Sequence, residues 1–331
     1  MQLNKSIKIF INYFFGPILF AWLAFSIYNN IKHQPQLAVS WQQIQDSFHS
    51  AKFFLLLATL LLVFVNWAIE ALKWRASVAM IQPIGFWQAF KAVLSGVTFS
   101  VTMPNRVGEY LGRVLYLPEG SRLKTISVTL VGSFAQLLTT LFAGVIGLVV
   151  LKKTLLYTYP NLVIWYQIAL YSLTAIVLVL ILIYFNVSAT VGIFNKWIRN
   201  QKYLFLVEAL NSFHSRLLMK ILLLSILRYF VFIVQYILVF YLFEVNVSAF
   251  IIGWVMSVVF LAMAIVPSIA LVEIGVRGEI SLKLMGMYSA NSLGIGLTSI
   301  SVWLVNLVIP AIIGSLLLMN IKVFTRKGNT I

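Results

Sequence analysis

The chain has 331 residues, 61% of them hydrophobic and 10% charged, with a mean hydropathy of +0.98. That excludes an ordinary soluble domain, in which about a quarter of the residues are charged, and the absence of cysteine excludes disulfides, thiolate chemistry and cysteine metal sites. The formal net charge of +16 reads as basic flanks at cytoplasmic membrane ends, at about 1 kcal/mol per residue beside anionic lipid, and not as a nucleic-acid footprint.

The predicted architecture is an all-α polytopic membrane protein, a single domain over residues 1–331. Lys5 and Lys8 precede an apolar run from Ile9 to Tyr28. The run is long enough to span and no small-residue cleavage site follows, so it is predicted to be a first spanning helix with a cytoplasmic N-terminus. Residues 29–52 are polar, with Pro35 and a short interfacial helix expected near Trp41–Phe48. The second span runs from Phe53 to Leu72, and Glu70, Lys73 and Arg75 cluster at its end. The bases suit a cytoplasmic end; Glu70 either neutralises them or faces the interior.

Residues 85–117 are too short for two spans and carry charge in their middle. Basic residues flank them on both sides, so a re-entrant hairpin dipping in from the cytoplasm is expected; such backbone is tolerated only where protein or a water-filled cavity surrounds it. Thr125–Leu151 is a span whose Gly132, Gly144 and Gly147 predict close helix packing. Lys152 and Lys153 then fall on the outer side, against the positive-inside pattern. Residues 162–185 span back, and residues 189–218 read as an amphipathic helix in the cytoplasmic interface. Lys220–Phe243 spans again and carries Arg228, which either snorkels or lines a cavity. Ser248–Val266 ends at Pro267, a charged segment follows to Lys283, and Leu293–Met319, with Pro310, is the last span. Lys322, Arg326 and Lys327 anchor the C-terminus. This gives six full spans and two re-entrant or broken hairpins, with both termini cytoplasmic and a bacterial-type inner membrane as the expected location. Residues 53–151 recur as residues 220–319 in opposite orientation, an inverted-topology repeat known from transporters that bind near the midplane.

Two charged stretches carry the chemistry: Pro104-Asn105-Arg106-Val107-Gly108-Glu109-Tyr110-Leu111-Gly112-Arg113, and Pro267 to Glu279. Glu109 and Arg113, Glu273 and Arg277, and Glu279 and Lys283 are each four apart, acid first, which puts both side chains on one helix face. A centrally placed Arg, Lys or Asp costs roughly 2.5–3.5 kcal/mol to insert, so such residues mark either a headgroup-level anchor or a polar intramembrane site. Pro104 breaks the preceding helix, and Asn105 and Ser268 are suitable N-caps for the helices after the two prolines. A new helix start with Arg106 and Arg113 nearby suits an anionic group, most simply a phosphate. Gly108 and Gly112, and Gly275 and Gly278, are expected to allow close backbone approach. The candidate substrate-binding set is Pro104, Arg106, Gly108, Glu109, Arg113, Glu273, Arg277 and Glu279, with Glu70, Arg75 and Arg228 as accessory candidates. His33, His49 and His214 are scattered without metal-ligand spacing, and Asp46 is the only aspartate. No metal site and no cofactor is expected.

The Pro104–Arg113 stretch resembles the signature of the lysylphosphatidylglycerol synthase transmembrane family, the flippase-like domain, and Glu273–Glu279 looks like that family's second charged stretch. The resemblance covers nearly the whole chain. It implies a membrane domain that moves a lipid or lipid-linked substrate between leaflets, with Pro104–Arg113 as a candidate headgroup site. The soluble aminoacyl-transferase domain of full-length synthases is not among these residues, so lysyl transfer is not expected.

The leading expectation is a lipid flippase without an enzymatic step of its own, whose partners are membrane lipids with an anionic or lipid-linked headgroup. Arg106 and Arg113 would receive a phosphate, and Glu109 would hold Arg113 or meet a cationic headgroup. No phosphate-binding Gly-x-x-x-x-Gly-Lys loop is present, so uphill transport would draw on an ion gradient or a partner. Two other readings remain open: a membrane subunit partnering a separate synthase, with homo-oligomers also allowed, and an integral membrane enzyme acting on a lipid phosphate. The last lacks the clustered carboxylates that a metal-dependent phosphotransferase uses.

Overall fold

The computed structural model describes residues 52–101, 108–190, 213–265 and 270–319, together with Gln42 and Leu210. The expected first span, the helix near Trp41–Phe48 apart from Gln42, most of the interfacial helix over 189–218 and the C-terminal basic cluster lie outside the described residues. Every described element is helical. Five stretches are long and apolar enough to cross a membrane: Phe53–Val78, Arg122–Thr158, Pro160–Phe185, Ser215–Leu242 and Ser292–Met319. The chain is an integral membrane protein.

Two long helices form the centre. Helix α1 (Phe53–Val78) and helix α6 (Ser215–Leu242) run antiparallel. Gln235 Nε2 donates to the Thr59 carbonyl at 3.2 Å, and Arg228 Nε donates to Asn66 Oδ1 at 2.9 Å. Beyond the helix ends Lys52 pairs with Glu244 at 2.6 Å. Rising numbers on α1 therefore meet falling numbers on α6 along the whole pair.

The first expected hairpin forms from α2 (Phe86–Ser100) and α3 (Gly108–Val114). Fifteen residues in α2 rise only about 22 Å, short of the roughly 30 Å hydrocarbon core. The two arms lie back to back because glycine faces backbone: a Cβ on Gly112 would sit 2.5 Å from the Ser95 carbonyl oxygen and 2.6 Å from the Gly96 Cα. Gly108 is equally close to Phe99, so its role is packing. The open ends of the arms stay together, with Gln88 Nε2 donating to the Tyr116 carbonyl at 2.8 Å and the Ser95 and Tyr116 hydroxyls 2.8 Å apart. Arg75 Nε reaches the Ile84 carbonyl at 3.1 Å. This hairpin thus opens at the Val78 end of α1.

Helix α4 (Arg122–Thr158) has 37 residues and is about 55 Å long, longer than the expected span over Thr125–Leu151. Lys152 and Lys153 lie exposed on its continuation, not in a loop, so their long stems can follow the helix out to water. Helix α5 (Val163–Phe185) is peripheral and turns Ile164, Trp165, Ile168 and Tyr171 outward, as a lipid-facing helix does.

The second hairpin is α7 (Ala249–Ile265) and α8 (Ala270–Met285). Its open end lies by the turn after α6, where Asn291 Nδ2 donates to the carbonyls of Phe243 and Glu244 at 3.0 and 3.2 Å. That is the Phe53 end of α1, opposite to the first hairpin. Gly144 and Gly147 of α4 take Leu261, Val258 and the Trp254 carbonyl against their backbone, as expected of a close-packing helix, whereas Gly132 has only ordinary contact with the side chains of Lys73 and Ser77, at 3.7 and 3.9 Å. Gly275 and Gly278 behave otherwise: a Cβ on either would meet no atom within 4 Å among the described residues. The expected close approach is absent there, because the α8 face that carries them has no described backbone against it.

Helix α9 (Ser292–Met319) is interrupted by a π-helical turn over Leu304–Val308. Pro310 follows two residues later and has no N–H for the carbonyl one turn back. The wider turn absorbs that lost donor. Beyond it, α9 packs on α2 through Thr98 Oγ1, which donates to the Ala311 carbonyl at 2.8 Å, and through Gly314 against Leu94.

Candidate functional site

Helix periodicity places Asn66, Glu70 and Lys73 on one face of α1, and α6 brings Arg228 across to it. Glu70 is the hub. Lys73 Nζ lies 2.7 Å from its Oε2, Arg113 Nη1 lies 3.0 Å from its Oε1, and Arg228 Nη1 lies 3.3 Å from its Oε2. Arg113 Nη2 also meets Glu109 at 2.7 Å, so both terminal nitrogens of Arg113 are committed to carboxylates. Arg228 bonds Asn66, reaches Gln136 Oε1 at 3.4 Å and lies over the Trp67 ring, 5.3 Å from its centroid. An isolated ion at this depth would be expensive, and mutual pairing with hydrogen bonds to the remaining donors is what makes it tolerable.

The second hairpin repeats the pattern with a different partner. Arg277 pairs with Glu273 four residues earlier on α8 and donates to the Tyr236 hydroxyl of α6 at 3.1 Å. Each hairpin therefore attaches by its arginine to one of the two central helices, the first through a carboxylate and the second through a phenol.

Both hairpins border one cavity of about 490 Å³. Glu70, Lys73, Glu109 and Arg228 line it, and so do Glu273 and Arg277 of α8. Asn66, Gln136, Thr140 and Asn306 add uncharged polar wall, while Tyr229, Phe232, Phe260 and Trp303 add an aromatic one. Glu70 does both of the things left open for it, neutralising Lys73 and lining the interior cavity, and Arg228 takes the cavity-lining alternative. Lys73 is buried in the network and is not a headgroup-level anchor, because Glu70 three residues earlier holds it.

Several residues that the sequence nominated are not at the cavity. Glu279 pairs with Lys283 at 3.2 Å on an exposed face, and Arg75 secures the loop before α2. Arg113 stands behind the wall, clamped between two acids, and is not among the lining residues. Pro104 and Arg106, with the caps Asn105 and Ser268 and with Pro267, lie outside the described residues. The residues that sequence reasoning passed over are Asn66, Gln136, Tyr236 and Asn306. For Gln136 a signal existed: it is a lone amide inside an apolar run of α4, and intramembrane polar residues face bundle interiors. Tyr236 carried no such mark, since its value lies in a contact 41 residues along the chain.

Among curated proteins no relative matches the sequence. A family model for the lysylphosphatidylglycerol synthase TM region matches residues 14–314. That match takes in both charged hairpins, the central pair α1 and α6 and the cavity they enclose. The chain thus belongs to the lysylphosphatidylglycerol synthase transmembrane-region family.

Proposed function

We propose that the protein moves a phosphate-bearing lipid, or a lipid-linked substrate, between leaflets, passing its headgroup through the charged cavity while the acyl chains stay in the bilayer, without a chemical step of its own. The observation that carries this is that two charged hairpins, opening at opposite ends of α1, border the same cavity. A polar space reached by broken elements from both ends suits alternating access. The pairing of elements supports an inverted repeat: α4, the helix after the first hairpin, packs on the second hairpin, and α9, the helix after the second, packs on the first. That reciprocal arrangement is what a two-fold axis in the membrane plane produces. Both termini would then be cytoplasmic, and an inner membrane is the setting in which the basic flanks fit.

The test is leaflet accessibility of labelled phospholipids in proteoliposomes, with Glu109→Gln and Arg113→Ala beside the wild type. Transport by the wild type and its loss in the variants is the expected result. Equal movement in all three, or none above protein-free vesicles, ends the proposal.

A further inference from the structure

Lys152 and Lys153 take no part in the charged cavity. In the orientation proposed above they sit at the outer end of the bundle, against the positive-inside pattern. The three helices of this corner, α4, α5 and α7, contain no aspartate or glutamate. Glu244, in the turn after α6, is paired with Lys52. Two exposed ammonium groups therefore stand together with no carboxylate on the helices that carry or flank them.

A second cavity, of about 260 Å³, lies at the same corner. Leu148, Leu155 and Leu156 of α4 line it, with Trp165 and Tyr166 of α5 and Val258 of α7. No residue lines both this cavity and the charged one. The Tyr166 hydroxyl donates to the Leu148 carbonyl at 2.7 Å, which leaves the walls apolar apart from Tyr159. Lys152 is on the same face of α4 as the lining leucines, because positions 148, 152, 155 and 156 recur at the helix repeat. Tyr157, Tyr159 and Trp165 are exposed beside them, as aromatic residues are at headgroup level. An apolar pocket at that level, with two ammonium groups beside it, suits an amphiphile with a negative head. Its floor is Val258, whose Cγ2 is 3.0 Å from where a Cβ on Gly147 would stand. A chain in the pocket thus touches the second hairpin where that hairpin packs against α4.

We infer that this corner is a site for a resident anionic phospholipid. One acyl chain enters between α4, α5 and α7, and Lys152 and Lys153 receive the phosphate. The lipid braces the second hairpin against α4 and is not the molecule that passes through the charged cavity.

The purified full chain is titrated in mixed micelles with phosphatidylglycerol or phosphatidylcholine brominated on the acyl chains. Quenching of Trp165 is read as the difference between wild type and Trp165→Phe. Phosphatidylglycerol should reach half-quenching at about a tenth of the mole fraction that phosphatidylcholine needs, as two lysines beside one anionic headgroup allow. In the double variant Lys152→Gln, Lys153→Gln, both at exposed positions, the two lipids should quench alike. Glycerophosphoglycerol, which has the headgroup and no chains, should not displace the lipid. Equal quenching by both lipids in the wild type, no quenching by either, a preference that survives the double variant, or displacement by glycerophosphoglycerol would each overturn the inference. No residue of the charged cavity is altered, so the translocation reading stands or falls separately, on lipid movement in proteoliposomes.

Discussion

Glu70→Gln is the most informative single change in this protein. The carboxylate faces three cations, at 2.7, 3.0 and 3.3 Å. When it is neutralised, Arg113 keeps Glu109, and Arg228 keeps Asn66, Gln136 and the Trp67 face. Lys73 keeps no other carboxylate among the described residues, and its side chain is 3% exposed. Removing one partner of a buried pair costs about 3–5 kcal/mol, because a buried charge is left uncompensated. Against a typical total stability of about 5–15 kcal/mol, that is a large fraction, and it corresponds to a fall in melting temperature on the order of 10 °C. The assay is thermal unfolding in detergent, followed by fluorescence, of wild type, Glu70→Gln, Lys73→Met and the double variant. If the orphaned ammonium is the source of the loss, the double variant recovers more than half of it, and the coupling energy is about 2 kcal/mol or more. Additive single effects, or a Glu70→Gln variant within about 1 kcal/mol of wild type, would refute the reasoning that the hub carries the network.

Glycines give a paired prediction. Gly112→Ala drives a methyl group into the Ser95 carbonyl and the Gly96 Cα, and overpacking of this kind costs about 1–3 kcal/mol, read as a lower melting temperature. Gly275→Ala adds a methyl group that meets no atom within 4 Å among the described residues, in a helix interior, and should be neutral or stabilising by up to about 1 kcal/mol. Arg228→Lys keeps the charge but loses the planar contact with Trp67 and the forked bonds to Asn66 and Gln136; lipid movement should fall about tenfold with little change in unfolding. Outside the membrane, the hydrogen bond from Lys52 holds the Glu244 carboxyl below its ordinary range. Its contribution is present above the ordinary carboxylate value of about 4.3 and is lost as the pH falls through the lowered one. Lys52→Ala should therefore shift unfolding slightly at neutral pH, less in high salt, and not at all in strong acid.

The sequence carried the plan of this site better than its wiring. Short apolar segments broken by proline and charge were enough to predict both hairpins, because hydrocarbon thickness sets a length that 15 residues of α2 cannot meet. The i, i+4 acid–arginine pairs were equally readable, being local, and both form. What escaped was tertiary. Gly96 looks like any helical residue until α3 folds back and Arg113 passes beside it, its Cγ 3.1 Å from where a Cβ would stand. Gly275 and Gly278 illustrate the converse, since a missing side chain permits close approach without providing a neighbour. The charges of Lys152 and Lys153 mark the end of the apolar run at Leu151, while the helix itself continues to Thr158.

The polar clamps decide where each hairpin sits. Between helices in lipid there is no hydrophobic driving force of the kind found in water, so packing and interhelical hydrogen bonds set association. The first hairpin has both: glycines that admit backbone contact and an arginine on the Glu70 carboxylate. Among the described residues the glycines of α8 meet no neighbour, and Arg277 reaches α6 through the Tyr236 hydroxyl where Arg113 reaches α1 through a carboxylate. A hydrogen bond to a charged group contributes about 1.5–3 kcal/mol, so Tyr236→Phe should release α8 while leaving Glu273 on Arg277. The absence of native cysteine makes this measurable without background: a thiol introduced by Gly275→Cys reports local opening through its alkylation rate. Losing about 1.5 kcal/mol of clamp predicts a rate increase of about tenfold, against no increase for Tyr229→Phe, whose hydroxyl bonds Ser257 on the other arm. An unchanged rate in Tyr236→Phe would mean that α8 is held by its apolar packing alone, and that the phenol at Arg277 is not the counterpart of the carboxylate at Arg113.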